Sequence, residues 1–335
     1  MRLTALTIAL SVGCGAFACG GSSGDSGFGD GGGSGNGNGN GNGNGGGDGG
    51  TQFGGDASFT GGDGGVNQNG CSEAAKLIYV LSSDNDLYSF QPIQKQFKKI
   101  GRLGCQTSMT PNSMAIDRDA TAWVNYAEAD PISGKDTGGA IFKVSTANAT
   151  CQATNVVLSS GWYRLGMGFS TDAVNGTTDT LYIAGSPNGG LGGGGQSPGL
   201  AKIDLSQQKV TPIGNFSGAL KGQSAELTGT GDARLYGFFT TTPVEVAEIN
   251  KGSGSIVSAK PLAQVETPSF WAFSFWGGDF YLYTAPDATM NPGRTTNVTH
   301  YSPGSGTADT AYMTNIGFRI VGAGVSTCAP IAPPK

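Results

Sequence analysis

Phe318-Arg319-Ile320-Val321-Gly322-Ala323-Gly324 reads as a strand with no companion after it. Its small residues suit close backbone packing, and a lone strand at the end of a β-rich chain needs an edge to pair with. The partner is visible at the other end of the domain. Leu77-Ile78-Tyr79-Val80 begins a run of strands but lacks the small-residue strand that precedes each later copy of the same pattern.

That pattern recurs as Ala122-Trp123-Val124-Asn125-Tyr126, Leu181-Tyr182-Ile183-Ala184, Leu235-Tyr236-Gly237-Phe238-Phe239 and Tyr281-Leu282-Tyr283. Successive copies lie roughly 45 to 60 residues apart, about the length of a four-stranded propeller blade. Upstream of them come the small-residue strands Ser113 to Ile116, Gly166 to Phe169, Ala225 to Thr228 and Trp271 to Phe275. Downstream come the alternating strands Leu87 to Phe90, Ile141 to Val144, Leu200 to Ile203, Val246 to Ile249 and Val298 to Tyr301. A more polar fourth strand follows, as in Gln96 to Ile100 and Lys209 to Ile213. No stretch sustains a 3.6-residue apolar period, so helices should be few. The expected fold is all-β, a five-bladed β-propeller over 71–335 whose C-terminal strand completes the N-terminal blade. A β-sandwich is the alternative with similar strand spacing, but it does not call for a four-strand unit with one strand displaced to the far terminus.

Residues 1–70 have a different character. Met1-Arg2 and the apolar run Leu3 to Ala18 have the charged start and short apolar core of a signal peptide, 1–18, too short to span a bilayer. Cys19 follows Ala16-Phe17-Ala18 and precedes Gly20-Gly21, a pattern that resembles the lipobox of bacterial lipoproteins, with Ala16 and Phe17 where that motif favours Leu and a small residue. Cys19 is therefore the expected lipid attachment point, and an ordinary signal-peptidase cut after Ala18 is the alternative. Cys14 would cut the apolar run short. Residues 19–70 are dominated by Gly and Asn and have too few apolar side chains to offset chain entropy, so a disordered tether is expected there.

Export makes the remaining cysteines readable. Cys71, Cys105, Cys151 and Cys328 form an even set with no Cys-x-x-Cys spacing, which favours disulfides over metal. In the closing blade the hairpin between inner and second strand is cut, and Cys71 and Cys328 flank the cut ends. The expected pairing is Cys71 with Cys328 and Cys105 with Cys151. Net charge is -5 and the few Lys and Arg are scattered, so nucleic acid is excluded as a natural partner. Contact with membrane is expected only through the N-terminal lipid, the domain is expected to be a monomer, and no cofactor or metal site is expected.

Few residues invite chemistry. His300 is the only histidine, and its place in an alternating strand puts it on the polar face, so no catalytic role is expected. Asp119, Asp179, Asp232 and Asp279 precede the second strands and read as turn residues. The run Gly189 to Gly195 has no Lys-Ser/Thr after it and reads as a long blade loop. Asn148, Asn175, Asn215 and Asn297 begin glycosylation sequons that read as coincidence. Glu226, on an inner strand, is either a ligand group at the channel mouth or an acceptor for backbone N–H groups. Trp271 and Trp276 flank an inner strand and are the better binding candidates among the tryptophans, while Trp123 reads as core. Arg319 is the other charged residue placed near the channel.

Glu226 to Asp232 and Trp271 to Tyr281 resemble segments of myxobacterial lipoproteins that pair a Gly-rich tether with a propeller-like domain. The resemblance covers signal, tether and domain and implies no particular activity. Two functions follow from this sequence. One is a cell-envelope lipoprotein, at the outer membrane or cell surface, whose propeller recognises a protein, peptide or glycan without catalysis. The other is a propeller hydrolase or lyase acting on an extracellular polymer, which would usually gather more acids, histidines or arginines around the channel than Glu226 and Arg319.

Overall fold

The computed structural model describes residues 71–188, 195–287 and 289–333. The signal, Cys19, the 19–70 segment and most of the Gly189 to Gly195 loop lie outside the described residues.

Five antiparallel four-stranded sheets make up the domain, each a blade. Blade A joins β20 (Ile320–Val325) to β1 (Ile78–Ser82), β2 (Asp86–Gln91) and β3 (Gln96–Arg102). Blade B runs β4 (Thr110–Ile116), β5 (Thr121–Ala129), β6 (Asp136–Ser145) and β7 (Cys151–Ala153). Blade C comprises β8 (Leu165–Thr171), β9 (Asp179–Gly185), β10 (Leu200–Asp204) and β11 (Lys209–Gly214). Blade D holds β12 (Ala225–Gly229), β13 (Leu235–Phe239), β14 (Glu245–Ile249) and β15 (Ile256–Pro261), and blade E β16 (Phe270–Trp276), β17 (Asp279–Ala285), β18 (Asn297–Ser302) and β19 (Thr307–Met313). The fold is a five-bladed propeller, and the ring closes as the lone terminal strand requires: Ile78 pairs with Val325, Val80 with Ala323 and Leu81 with Gly322.

Each blade interface holds one apolar cluster. Tyr79, Leu81, Met114 and Val124 join A to B, and Trp123, Met167, Phe169 and Ile183 join B to C. Tyr182, Leu227 and Phe239 fill C to D, Phe238, Phe273 and Leu282 fill D to E, and Phe90, Tyr283 and Val325 fill E to A. These side chains are almost wholly withdrawn from water. Their alternation along the strands sends one set toward each neighbouring blade.

The inner strands lie parallel and unusually close. A Cβ on Gly166 would fall onto the Ala225 carbonyl and one on Gly168 would press on the Leu227 and Thr228 main chain. Gly229 meets the Phe169 carbonyl, while Gly322 and Gly324 lie on Ser113 to Met114 and Ala115 to Ile116. Glycine is needed here for space rather than for an unusual φ. As a result all five inner strands begin on one face, the mouth face, and end on the other, the hairpin face.

Two disulfides are present. Cys71 bonds Cys328 on the hairpin face, with Cα atoms 5.8 Å apart, and Cys105 bonds Cys151 at 5.0 Å. Both pairs fit an oxidising compartment. Among the described residues no helix is long and apolar enough to cross a membrane.

Candidate functional site at the propeller mouth

The residues that enter the inner strands form the rim of the mouth. Arg319 directly precedes β20, Phe270 opens β16, Met109 precedes β4 and Arg164 precedes β8. Phe270 and Met109 both pack on the cluster containing Tyr126 and Val321, giving the mouth an apolar floor. Arg319 lies over Phe270 with its guanidinium carbon 4.8 Å from the ring centroid. Its Nη2 donates to the Arg294 carbonyl at 3.3 Å, while its Nε is buried without an acceptor among the described residues.

The other two mouth arginines are committed. Arg164 donates from Nε and Nη2 to Asp136 Oδ1, at 3.1 and 3.0 Å, and from Nη1 to Asn112 Oδ1 at 3.0 Å. Arg294 meets Glu266 at 3.2 Å, and Glu266 also accepts from Asn297 Nδ2 at 2.9 Å. Asp287 lies near Arg319, but its carboxyl is drawn below the usual range first by the Thr289 hydroxyl and N–H, with Arg319 adding a smaller pull. The mouth therefore presents one guanidinium that lies on an aromatic ring, is in no ion pair among the described residues, and keeps Nη1 as its accessible donor.

Glu226 sits below this floor and is itself buried. Its Oε2 accepts from Ser113 Oγ at 2.8 Å, and the carboxyl also takes the Met167 N–H. Burial pushes its pKa well above the ordinary glutamate value, and these two hydrogen bonds pull it only partly back. One carboxyl thus joins the inner strands of blades D, B and C. Of its two sequence readings, the geometry matches the backbone acceptor.

The tryptophans diverge. Trp271 is at the mouth end of β16, half-buried against the D–E cluster. Trp276 is at the opposite end of the same strand, where its Nε1–H donates to the Lys76 carbonyl at 2.8 Å and its ring packs on the E–A cluster. They stand near opposite ends of the seven-residue β16, so they do not share one site. Phe270, the neighbour of Trp271, also stands at the mouth and carries Arg319 on its face; its signal was its place at the start of an inner strand.

The four acids expected to serve turns divide as well. Asp232 does so, accepting from the Thr230 hydroxyl. Asp117, not Asp119, caps its hairpin, accepting from the Asp119 and Thr121 N–H groups and from Trp123 Nε1. Asp179 is an inter-blade anchor: Arg118 reaches it at 2.8 and 3.2 Å and Thr327 Oγ1 at 2.6 Å, beside the closing disulfide. Asp279 faces His300 Nε2 at 2.8 Å, with the imidazole stacked on Tyr281. Those partners come from distant segments, which local turn patterns do not reveal.

No family model matches the chain. No curated protein matches it either. Among solved structures, an auxiliary nutrient binding protein from Bacteroides thetaiotaomicron VPI-5482 aligns with a TM-score of 0.40 and 10% identity, over 70% of this chain and 54% of that one. The chain spans about half the length of that protein.

Proposed function

We propose that the protein is an exported cell-envelope recognition module, anchored by lipid at Cys19, whose propeller mouth binds a protein, peptide or glycan through a carboxylate and performs no catalysis. The observation that carries this reading is Arg319 laid over Phe270 at the mouth, in no ion pair among the described residues and with its Nη1 neither buried nor bonded there. A guanidinium held flat on a ring is preorganised for the two-pronged bond that a carboxylate accepts. Asp136 and Glu266 are taken up by Arg164 and Arg294, and Asp287 accepts from Thr289, so none of them forms an ion pair with Arg319 among the described residues. The two disulfides support the exported setting.

Calorimetric titration with uronic-acid oligosaccharides and with peptides bearing free carboxylates tests the mouth. Binding by the wild type should weaken on the order of tenfold to a hundredfold in Arg319→Ala, the worth of one charge-assisted hydrogen-bonded contact. Arg319→Lys should recover little, because an ammonium lacks the fork. Equal affinity for a carboxylate ligand and its methyl ester would sink the proposal. The anchor is tested separately: Cys19→Ser should move the protein from the membrane to the soluble fraction.

A further inference from the structure

A second cleft opens between blades D and E, toward the hairpin face and away from the mouth. It encloses about 380 Å³. Tyr236, Phe275, Phe280 and Tyr301 form its aromatic floor, with Tyr236 edge-on to Phe280 at 4.8 Å and Phe280 stacked on Tyr301 at 6.1 Å. One wall is the outer strand β15, whose Ser258, Ala259 and Lys260 all line the cleft. Consecutive strand residues point to opposite faces, so three in a row mean that the cleft also runs along the free main-chain edge of β15. The other wall holds Gly278 and Ile331.

The charges at the rim are unequal. Arg234 and Glu248 neutralise each other at 2.7 Å, and Asp232 is engaged by the Thr230 hydroxyl. Lys260 is exposed and makes no ion pair among the described residues. The cleft therefore suits an extended chain that offers an aromatic side chain to the floor and a carboxylate to Lys260. The chain after Cys328 already lies at its edge: the Gly277 N–H donates to the Pro330 carbonyl at 2.7 Å, and Ile331 contributes to the wall.

The same chain carries a matching sequence. Between Gly20 and Gly70 there are five Asp and no Lys or Arg, and each Phe is followed closely by Asp: Phe28-Gly29-Asp30, Phe53-Gly54-Gly55-Asp56 and Phe59-Thr60-Gly61-Gly62-Asp63. Reach to the near edge of the cleft is sufficient. Ile331 follows Cys328 by three residues and Cys328 is 5.8 Å from Cys71, so the cleft edge is within about 17 Å of Cys71. Asp63 precedes Cys71 by eight residues, a span of up to about 28 Å. We infer that the D–E cleft is a docking site for the Phe59 to Asp63 segment of this same chain, with Phe59 on the aromatic floor and Asp63 paired to Lys260. Covalent linkage makes the encounter intramolecular, so a modest intrinsic affinity suffices.

Hydrogen exchange on the full mature protein tests this, read at the amides of Val257 to Lys260 and Tyr301 to Ser302. Phe59→Ser and Lys260→Glu should each speed exchange there by about fivefold or more relative to wild type. Lys260→Glu combined with Asp63→Lys should restore the slow rate, a recovery that a merely destabilised β15 would not show. Phe59 and Asp63 precede the first strand in sequence, and melting of their variants checks that the blades stay intact. Arg319→Ala should not alter these rates, which separates this site from the mouth. Equal exchange in wild type and Phe59→Ser overturns the inference. Protection that grows with protein concentration overturns it too, since the occupant would then be a second copy.

Discussion

At Glu226 a single carboxyl makes folding depend on pH. Its native pKa is raised, so the folded state keeps a proton that the unfolded state releases. Stability is then greatest below the ordinary glutamate range and falls as pH rises, by about 1.4 kcal/mol per unit, until the native group itself ionises. Glu226→Gln should remove that slope and leave the Ser113 and Met167 contacts in place. Its melting temperature should overtake the wild type progressively as the pH rises above the ordinary glutamate range, and parallel melting curves for the two proteins would contradict the assignment. The sequence narrowed Glu226 to two roles because its strand position was legible, but Ser113 lies 113 residues away and no local pattern announces it. The same holds for Asp179, whose partners Arg118 and Thr327 come from other blades. Period-2 alternation assigns a face to a side chain, not an interlocutor.

Among the elements, the inner strands were readable from their small residues, and the reason is now physical. Gly166 and Gly168 lie where β8 touches β12 backbone to backbone. Gly166→Ala must push the two strands apart, and overpacking of this kind costs about 1 to 3 kcal/mol. Gly304, with nothing near its missing Cβ, is the control: Gly304→Ala should stay within about 0.5 kcal/mol of wild type. Chemical denaturation of both variants checks the contrast, and equal costs would mean that the close approach does not matter. The second strands were legible for a different reason. They are buried on both faces, as in the wholly buried β1 and β13, and so read as aromatic and β-branched runs that stand out from the Gly-rich background. Short β7, with Cys151 as its first residue, had no such run and could not be read.

For the whole molecule, closure depends on β20 reaching β1 and on the bond beside that junction. Cys71 and Cys328 span 257 residues, and Cys105 and Cys151 span 46. The chain-entropy model assigns the first bond roughly 5 kcal/mol and the second about 4, both upper estimates. The greater difference is in kind. Cys71→Ser with Cys328→Ser should lower the melting temperature and also speed exchange in β20 and β1, whereas the Cys105/Cys151 pair should affect chiefly blade B. Exchange that quickens uniformly in both double variants would show that closure is not localised there. Blade count and closure were legible because a repeat that lacks a strand declares what completes it. The mouth was less so, since Arg319 and Phe270 meet only after the two ends of the repeat are brought together.

The junction also determines how the domain meets tension. A pull on the chain before Cys71 divides at the disulfide between the start of β1 and the end of β20, antiparallel neighbours of which β1 alone also pairs with β2. Both are drawn the same way along their length, so the β1–β2 ladder that joins them to the rest of the blade must slip as a unit instead of unzipping bond by bond. Without the staple the same pull would fall on β1 alone. The joint that shuts the ring thereby takes any load on the chain before Cys71 along the length of its strands.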